Sequence, residues 1–297
     1  MTIKHIVISG GGPTGFITYG AVRYLSKEKF WDLKNIETIY GSSIGALMGV
    51  VFSLGYDWEW LDDYFIKRPW DKVVNITAKE ILDSYSSKGI VNETFMIKCM
   101  EPLLTAKNLN TNITLMELYN INKIEIHLYS TNLNSSILEK IDISYKTHPD
   151  LSVLKALSMS TAYPFVFQPI FEGDDCYVDG GILNNLPLND CIKQTNCNKD
   201  EILVIKNYWI RNNYTLTKDS TIFDYLLALL KKMSRTLDTE KHQEEVKNTV
   251  HCLVNNLDGL PRWFDALCNE ELRIELVEHG YNQAKIFLEY LKSQRSI

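Results

Sequence analysis

The run Ile36 to Tyr40 is rich in β-branched and apolar residues. It leads directly into Gly41-Ser42-Ser43-Ile44-Gly45 and then into the apolar stretch Ile44 to Leu54. Strand, G-x-S-x-G and helix in immediate succession is the sequence form of a nucleophile elbow, a tight turn that holds a serine hydroxyl in the open. Such a turn crowds its own backbone against the neighbouring strand and helix, which accounts for glycine on both flanks of Ser43. Ser43 is left at a helix N-terminus, where free N–H groups and the helix dipole favour developing negative charge.

A second glycine cluster, Gly10-Gly11-Gly12-Pro13-Thr14-Gly15, sits one strand earlier. It follows Ile6-Val7-Ile8 and precedes a helix with Ile17, Ala21, Tyr24 and Leu25 on one side. As G-x-G-x-x-G it could read as a dinucleotide fingerprint, but that reading wants an acidic residue at the end of the next strand. Here the next strand ends in Tyr40-Gly41 and runs into the serine. A second reading makes the glycine N–H groups an oxyanion hole facing the adjacent elbow, because neighbouring parallel strands set their βα turns side by side. A third makes the cluster a tight turn without chemistry.

The alternation of strand and helix patterns from residue 3 to about 55 argues for an α/β fold, with a mostly parallel central sheet flanked by helices. With 297 residues, 45% of them hydrophobic, the chain can bury a large core. The expected organisation is a catalytic domain over 1–210, with 71–120 as a cap or insertion. A helical C-terminal extension over 211–297 packs on the same domain. The alternating Ile124 to Tyr129 and the run Ile137 to Ile143 read as a strand pair around the turn Asn132 to Ser136, and Ile202 to Ile205 as a further core strand. Asp150 is the expected N-cap of a helix over Leu151 to Met159. From Ile222 onward the spacing is helical, first in Phe223, Leu226, Leu227, Leu230 and Met233, and then in Val246, Val250, Leu253 and Val254. A last helix carries Leu272, Leu276, Phe287, Leu288 and Leu291. These stripes are expected to cover the sheet. The aromatic stretch 56–70 allows two readings, a membrane-touching lid or a helix that buries Trp58, Leu61, Tyr64 and Phe65.

The net charge of −6 carries no basic block, which argues against nucleic acid as a partner. No apolar run is long enough to span a bilayer, and the chain enters a strand almost at once, so no secretory leader is expected. Cys99, Cys176, Cys191, Cys197, Cys252 and Cys268 form no C-x-x-C pair and have no zinc spacing with histidine. Free thiols in a reducing, cytoplasmic compartment are the corresponding expectation. The histidines His5, His127, His148, His242, His251 and His279 are dispersed, and no carboxylate cluster reads as a calcium loop, so neither metal nor cofactor is expected.

A serine hydroxyl needs a base. Asp179 with His251 or His279 would satisfy the order Ser, Asp, His. However, in folds that use that triad several strands precede the nucleophile, whereas Ser43 follows only the second. The better candidate is Asp179 alone, in Tyr177-Val178-Asp179-Gly180-Gly181, where a short strand delivers a carboxylate into a glycine turn. With these three motifs in order, the chain resembles the patatin-like phospholipases over roughly residues 3–206. Asn185 and Pro187 continue the D-G-G-x-x-x-N-x-P pattern, and Ala156 to Pro169 resembles the family's helix-then-proline segment. One departure is Thr14, where the family usually has Arg or Lys.

The resemblance implies a lipid acyl hydrolase with a Ser43–Asp179 dyad, in which Ser43 is the nucleophile and Asp179 the proton acceptor. It implies an oxyanion hole among Gly10, Gly11, Gly12 and Gly15, with Gly41, Gly45, Gly180 and Gly181 shaping the turns. The substrate would be a membrane lipid or similar acyl ester, met by peripheral membrane contact. Other acyl esters or thioesters are the rival substrates, and a catalytically quiet lipid-binding scaffold is the rival without chemistry. The weak basicity of an ordinary aspartate further implies an apolar, partly dehydrated site, to which Val178, Tyr163 and Phe165 are expected to contribute.

Overall fold

The computed structural model describes residues 2–74, 76–209, 216–237, 244–255, 257 and 259–294. β1 (His5–Ile8) and β2 (Thr38–Ser42) are buried along their whole length, as expected of strands covered on both faces. They lie at the centre of an eight-stranded sheet. On one side β1 pairs in parallel with β9 (Ile202–Trp209), which pairs in parallel with β10 (Thr249–Val254). On the other side β2 pairs in parallel with β4 (Glu125–Asn132). The far end is antiparallel: β5 (Glu139–Ile143) and β8 (Asp175–Asp179) both pair with β4, and β7 (Ile170–Glu172) pairs with β8. A separate two-stranded ribbon joins β3 (Gly89–Val91) to β6 (Phe165–Phe167).

Strand register brings the motifs together. β5 takes one edge of β4 over Leu128–Asn132, so β2 and β8 share the other edge. Ser42 is opposite Tyr129 and Asp179 is opposite Ser130, the very next residue of β4. The end of β2 and the end of β8 therefore meet head to head at the carboxyl edge of the sheet, beside the turn that follows β1.

Alternate side chains divide between two unequal layers. Ile6, Ile8, Ile39, Leu128 and Leu203 point into the larger core. That core is covered by α1 (Gly15–Lys27), α2 (Ile44–Ser53), α5 (Thr94–Ala106), α7 (Val153–Thr161) and α11 (Glu270–Gln294). Val7, Tyr40, Tyr129 and Val204 point the other way, towards Leu188 and Cys191 of α8 (Leu188–Thr195). Each large aliphatic side chain buried this fully contributes roughly 1.5–3 kcal/mol. The remaining helices are α3 (Trp58–Asp62), α4 (Ala78–Ser87), α6 (Leu115–Asn122), α9 (Ile222–Leu237) and α10 (Leu260–Cys268). Among the described residues no helix is long and apolar enough to cross a membrane.

α1 and α11 approach through reciprocal glycines. A Cβ on Gly280 would stand 1.9 Å from the Ile17 carbonyl oxygen, and one on Gly20 would stand 2.0 Å from that of Val277. Gly280→Ala should therefore push the two helices apart and lower stability by about 1–3 kcal/mol, read as a shifted midpoint in urea unfolding with the slope unchanged.

The structure corrects several expectations. Val250, Cys252 and Val254 belong to a strand in which they alternate inward, so the C-terminal region is not purely helical. It extends the main sheet. The helix after Pro149 is capped by Ser152, whose side chain accepts from the Lys155 N–H, rather than by Asp150. Of the two readings of 56–70, burial holds: Leu61, Tyr64 and Phe65 lie in the main core and Trp58 packs against it. Within 71–120, the expected cap or insertion, Met96, Met100, Leu103 and Leu104 of α5 are part of that core. α9 does not cover the sheet. It contacts β6 and the turn Gly180–Ile182 and has no buried residue.

Candidate active site

Ser43 stands between β2 and α2 at φ 56° and ψ −127°, outside the regions that L-residues favour. Strain of this kind costs about 1–3 kcal/mol and persists only where the surroundings impose it. The surroundings here are tight. A Cβ on Gly41 would fall 2.5 Å from the carbonyl of Gly45, and one on Gly45 would fall 2.3 Å from the carbonyl oxygen of Ile8. The Ser43 N–H donates to Ser160 Oγ at 3.2 Å, which anchors the elbow to α7.

The Ser43 hydroxyl donates to Asp179 Oδ2 at 2.6 Å. The other carboxylate oxygen, Oδ1, accepts from the Gly181 N–H at 2.7 Å. The Asp179 main chain is fixed as well, its N–H donating to the Ala162 carbonyl and its carbonyl accepting from Thr131 Oγ1. Asp179 is 1% exposed, and burial pushes its carboxyl up to about 6, against the smaller opposing effects of the Ser43 hydroxyl and the Gly181 N–H. Tyr163 lines the same cavity, and its phenol is pushed up by burial and by the nearby Asp179 charge. Val178 and Phe165 are not part of the lining.

The glycine loop faces this pair across the cavity. Gly11 and Gly12 take φ of +154° and +59°. Of the four glycines expected to donate, two are committed elsewhere. The Gly10 N–H donates to the Asn185 carbonyl at 2.9 Å, and the Gly15 N–H turns back to the carbonyls of Gly12 and Pro13. Gly11 and Gly12 are the remaining members of the loop that line the cavity with Ser43 and Asp179. Among the described residues no histidine stands between serine and aspartate. His279 is held by the Leu253 carbonyl, His251 is an exposed residue of β10, and His242 lies outside the described residues. A histidine triad built on His251 or His279 is thereby excluded.

Above the pair the cavity widens to about 960 Å³, at the upper end of the range for small-molecule sites. Its walls come from segments far apart in sequence: Leu47 and Met48 of α2, Phe95 and Met96 of α5, and Trp263 and Phe264 of α10. The chain can also be set beside known proteins by its sequence and its fold. Residues 6–192, more than half of the chain, match the profile of the patatin-like phospholipases. The chain belongs to the patatin-like phospholipase family. Among its relatives is an uncharacterized protein, R571, of Acanthamoeba polyphaga mimivirus. It is 25% identical over 246 residues, covering 79% of this chain and 77% of that one. Another is a probable lipid hydrolase, 463L, of Invertebrate iridescent virus 6, 27% identical over 196 residues and covering 65% and 64%. The crystal structure of VipD from Legionella pneumophila shares the fold at a TM-score of 0.57 and 19% identity, covering 98% of this chain and 67% of that one.

Two features of this family member escaped the sequence reading. Thr14, at the position where a cation is usual, is fully buried and does not line the cavity. Its Oγ1 accepts from Asn207 Nδ2 at 2.8 Å, and the same amide donates to the Gly10 carbonyl at 3.2 Å. Asn207 on β9 thus ties the glycine loop to the next strand. Its place near the carboxyl end of a parallel strand was the available signal. The second feature is α9. Lys231, Lys232 and Arg235 line the cavity, so α9 supplies cations where the glycine loop has none.

Proposed function

We propose that this protein is a lipid acyl hydrolase that cleaves phospholipid or related acyl esters through a Ser43–Asp179 dyad. The observation that carries this reading is the 2.6 Å hydrogen bond from the Ser43 hydroxyl to a buried carboxylate at the base of an apolar cavity. As Ser43 Oγ bonds to the ester carbonyl carbon, its proton passes to Asp179 Oδ2. The oxyanion is held by the N–H groups of Gly11 and Gly12, each contributing about 2.7–4 kcal/mol in comparable sites. Collapse breaks the ester C–O bond, and Asp179 returns the proton to the departing alcohol. Water then attacks the acyl-serine while its proton goes to Asp179. Release of the fatty acid restores the Ser43 hydroxyl.

The raised carboxyl supports this role, since a base titrating near the working pH transfers protons more effectively than one near 4. On a soluble short-chain ester, kcat/KM should be level above the carboxyl's value of about 6. Below it, kcat/KM should fall about tenfold per pH unit as Asp179 takes a proton. A profile that stays flat to about pH 4 would remove Asp179 from the role of base.

The membership in a phospholipase family and the probable lipid hydrolase among the relatives support the choice of substrate. The test is a fluorophosphonate probe followed by a panel of phospholipids, neutral glycerides and thioesters. Labelling of Ser43 with release of fatty acid is the expected result. A folded chain that leaves Ser43 unlabelled would point instead to a quiet lipid-binding protein.

A further inference from the structure

The cavity above Ser43 is walled mainly by aliphatic and aromatic side chains. Among the described residues, the charged side chains that reach it are Asp179, Asp224, Lys231, Lys232 and Arg235. Asp179 is bonded to Ser43. Asp224 is turned to the start of α9, where it accepts from the Thr221 N–H at 2.9 Å and the Thr221 hydroxyl at 2.7 Å. All three cations come from α9. At about 100° per residue, Leu227, Lys231 and Arg235 fall on one side of that helix, with Lys232 beside them. Ile222, Tyr225, Leu229 and Met233 are exposed on the other side, outside the lining. A surface helix ordinarily turns its charges outward and its apolar residues inward. α9 does the reverse, and cations facing an apolar chamber suit a guest that is partly apolar and partly anionic.

The cluster stands close to the dyad without touching it. α9 packs on β6 and on the turn Gly180–Ile182, which directly follows Asp179. Burial and then the Asp179 charge raise the Tyr163 phenol, and the Arg235 charge opposes them. The Asp179 carboxyl itself is set by burial, against the Ser43 hydroxyl and the Gly181 N–H. The cations therefore leave the raised base as it is. In an acylated glycerophosphate only a few bonds separate the ester from the phosphate, so an ester at Ser43 brings its phosphate within reach of α9.

The same residues discriminate between head groups. Lys231 Nζ stands 4.3 Å from the centre of the Trp209 ring, so this aromatic wall already holds a cation of the chain's own. A choline head would bring its ammonium towards three like charges, and a neutral glyceride would leave them unanswered. A phosphomonoester carries about two negative charges and no cation, and its oxygens accept charge-assisted hydrogen bonds from Lys and Arg.

We propose that Lys231, Lys232 and Arg235 hold the phosphate of the substrate and select acylated glycerol phosphomonoesters over choline phospholipids and neutral glycerides. The proposal rests on the lipid-hydrolase reading for the reaction and on the α9 cluster for the choice of substrate. α9 lies outside residues 6–192, the span that matches the family profile, so family membership does not supply this selectivity.

The test measures fatty-acid release by the full chain from dihexanoyl phosphatidic acid, dihexanoyl phosphatidylcholine and dihexanoylglycerol, all kept monomeric so that no bilayer takes part. The phosphatidic acid should have the highest kcat/KM by roughly 10- to 100-fold, through KM, with the advantage shrinking at high salt. In Lys232→Ala/Arg235→Ala that advantage should largely vanish as KM for the phosphatidic acid rises. Lys232→Arg/Arg235→Lys should keep most of it, and a melting curve checks that each variant is folded. Equal kcat/KM on the three lipids, a preference for the choline lipid, or an alanine variant that retains the preference would overturn the proposal. Inorganic phosphate that competes as tightly as the lipid would assign the cluster to a free anion instead. If no lipid is hydrolysed, yet titration calorimetry shows the phosphatidic acid bound by the unaltered chain and lost in the alanine variant, the selection stands and the hydrolase reading fails. Hydrolysis of all three lipids alike has the opposite meaning.

Discussion

Ser43→Ala is expected to abolish ester hydrolysis, by at least about 10⁴-fold in kcat, and to leave thermal unfolding close to that of the unaltered chain. On the proposed mechanism, the loss follows from removing the atom that becomes bonded to the acyl group. The intact fold follows from what alanine keeps. The positive φ of residue 43 is imposed by Gly41, Gly45 and the bond from its N–H to Ser160, and none of these involves the hydroxyl. The substitution also deprives Asp179 of a donor that favours its charged form, so the carboxyl should rise further from its value of about 6. The direct measurements are turnover, fluorophosphonate labelling and a melting curve on the same preparation. Near-unaltered turnover would mean that another group attacks the substrate.

The three motifs were easier to read in the sequence than their setting. A glycine on either side of Ser43, a glycine loop one strand earlier and Asp179 before two glycines each report a local backbone demand, so a single chain suffices to find them. β1, β2, β4, β5 and β9 were legible for a similar reason, since their apolar runs are short and bounded by turn residues. β10 was not. Val246, Val250, Leu253 and Val254 fit helical spacing, while the inward alternation of Val250, Cys252 and Val254 spans too few residues to outweigh it. Contacts between distant segments left no local trace at all. Nothing near Thr14 announces that Asn207, on the neighbouring strand, will hold it. The helical period of α9 was plain, but its destination was not, because a helix lining a cavity and a helix covering a sheet use the same apolar residues.

Asp179→Asn should inactivate the protein and stabilise it. The carboxamide keeps an oxygen for the Gly181 N–H and can donate to Ser43 Oγ, but it accepts no proton, so turnover should fall by about 10²- to 10⁴-fold. Stability follows from linkage. The carboxyl titrates at about 6 in the folded chain, against an ordinary value of 3.8. Between those values the folded state binds more protons than the unfolded one, so the stability of the unaltered chain falls as pH rises through that interval and then levels off. At about 1.36 kcal/mol per pKa unit, the fully ionised carboxylate costs the fold about 3 kcal/mol at neutral pH. Asparagine does not ionise and is spared this cost. The melting temperature of the variant should therefore exceed that of the unaltered chain at pH 7, and the difference should shrink as pH approaches 4. Paired unfolding curves across that range test the account. A gain of the same size at every pH would show that burial of charge is not its source. Turnover close to the unaltered value would remove Asp179 from the mechanism. In the role proposed for it, Asp179 is useful as a base because the fold withholds water from it, and the same withholding makes its ionised form unfavourable to the fold.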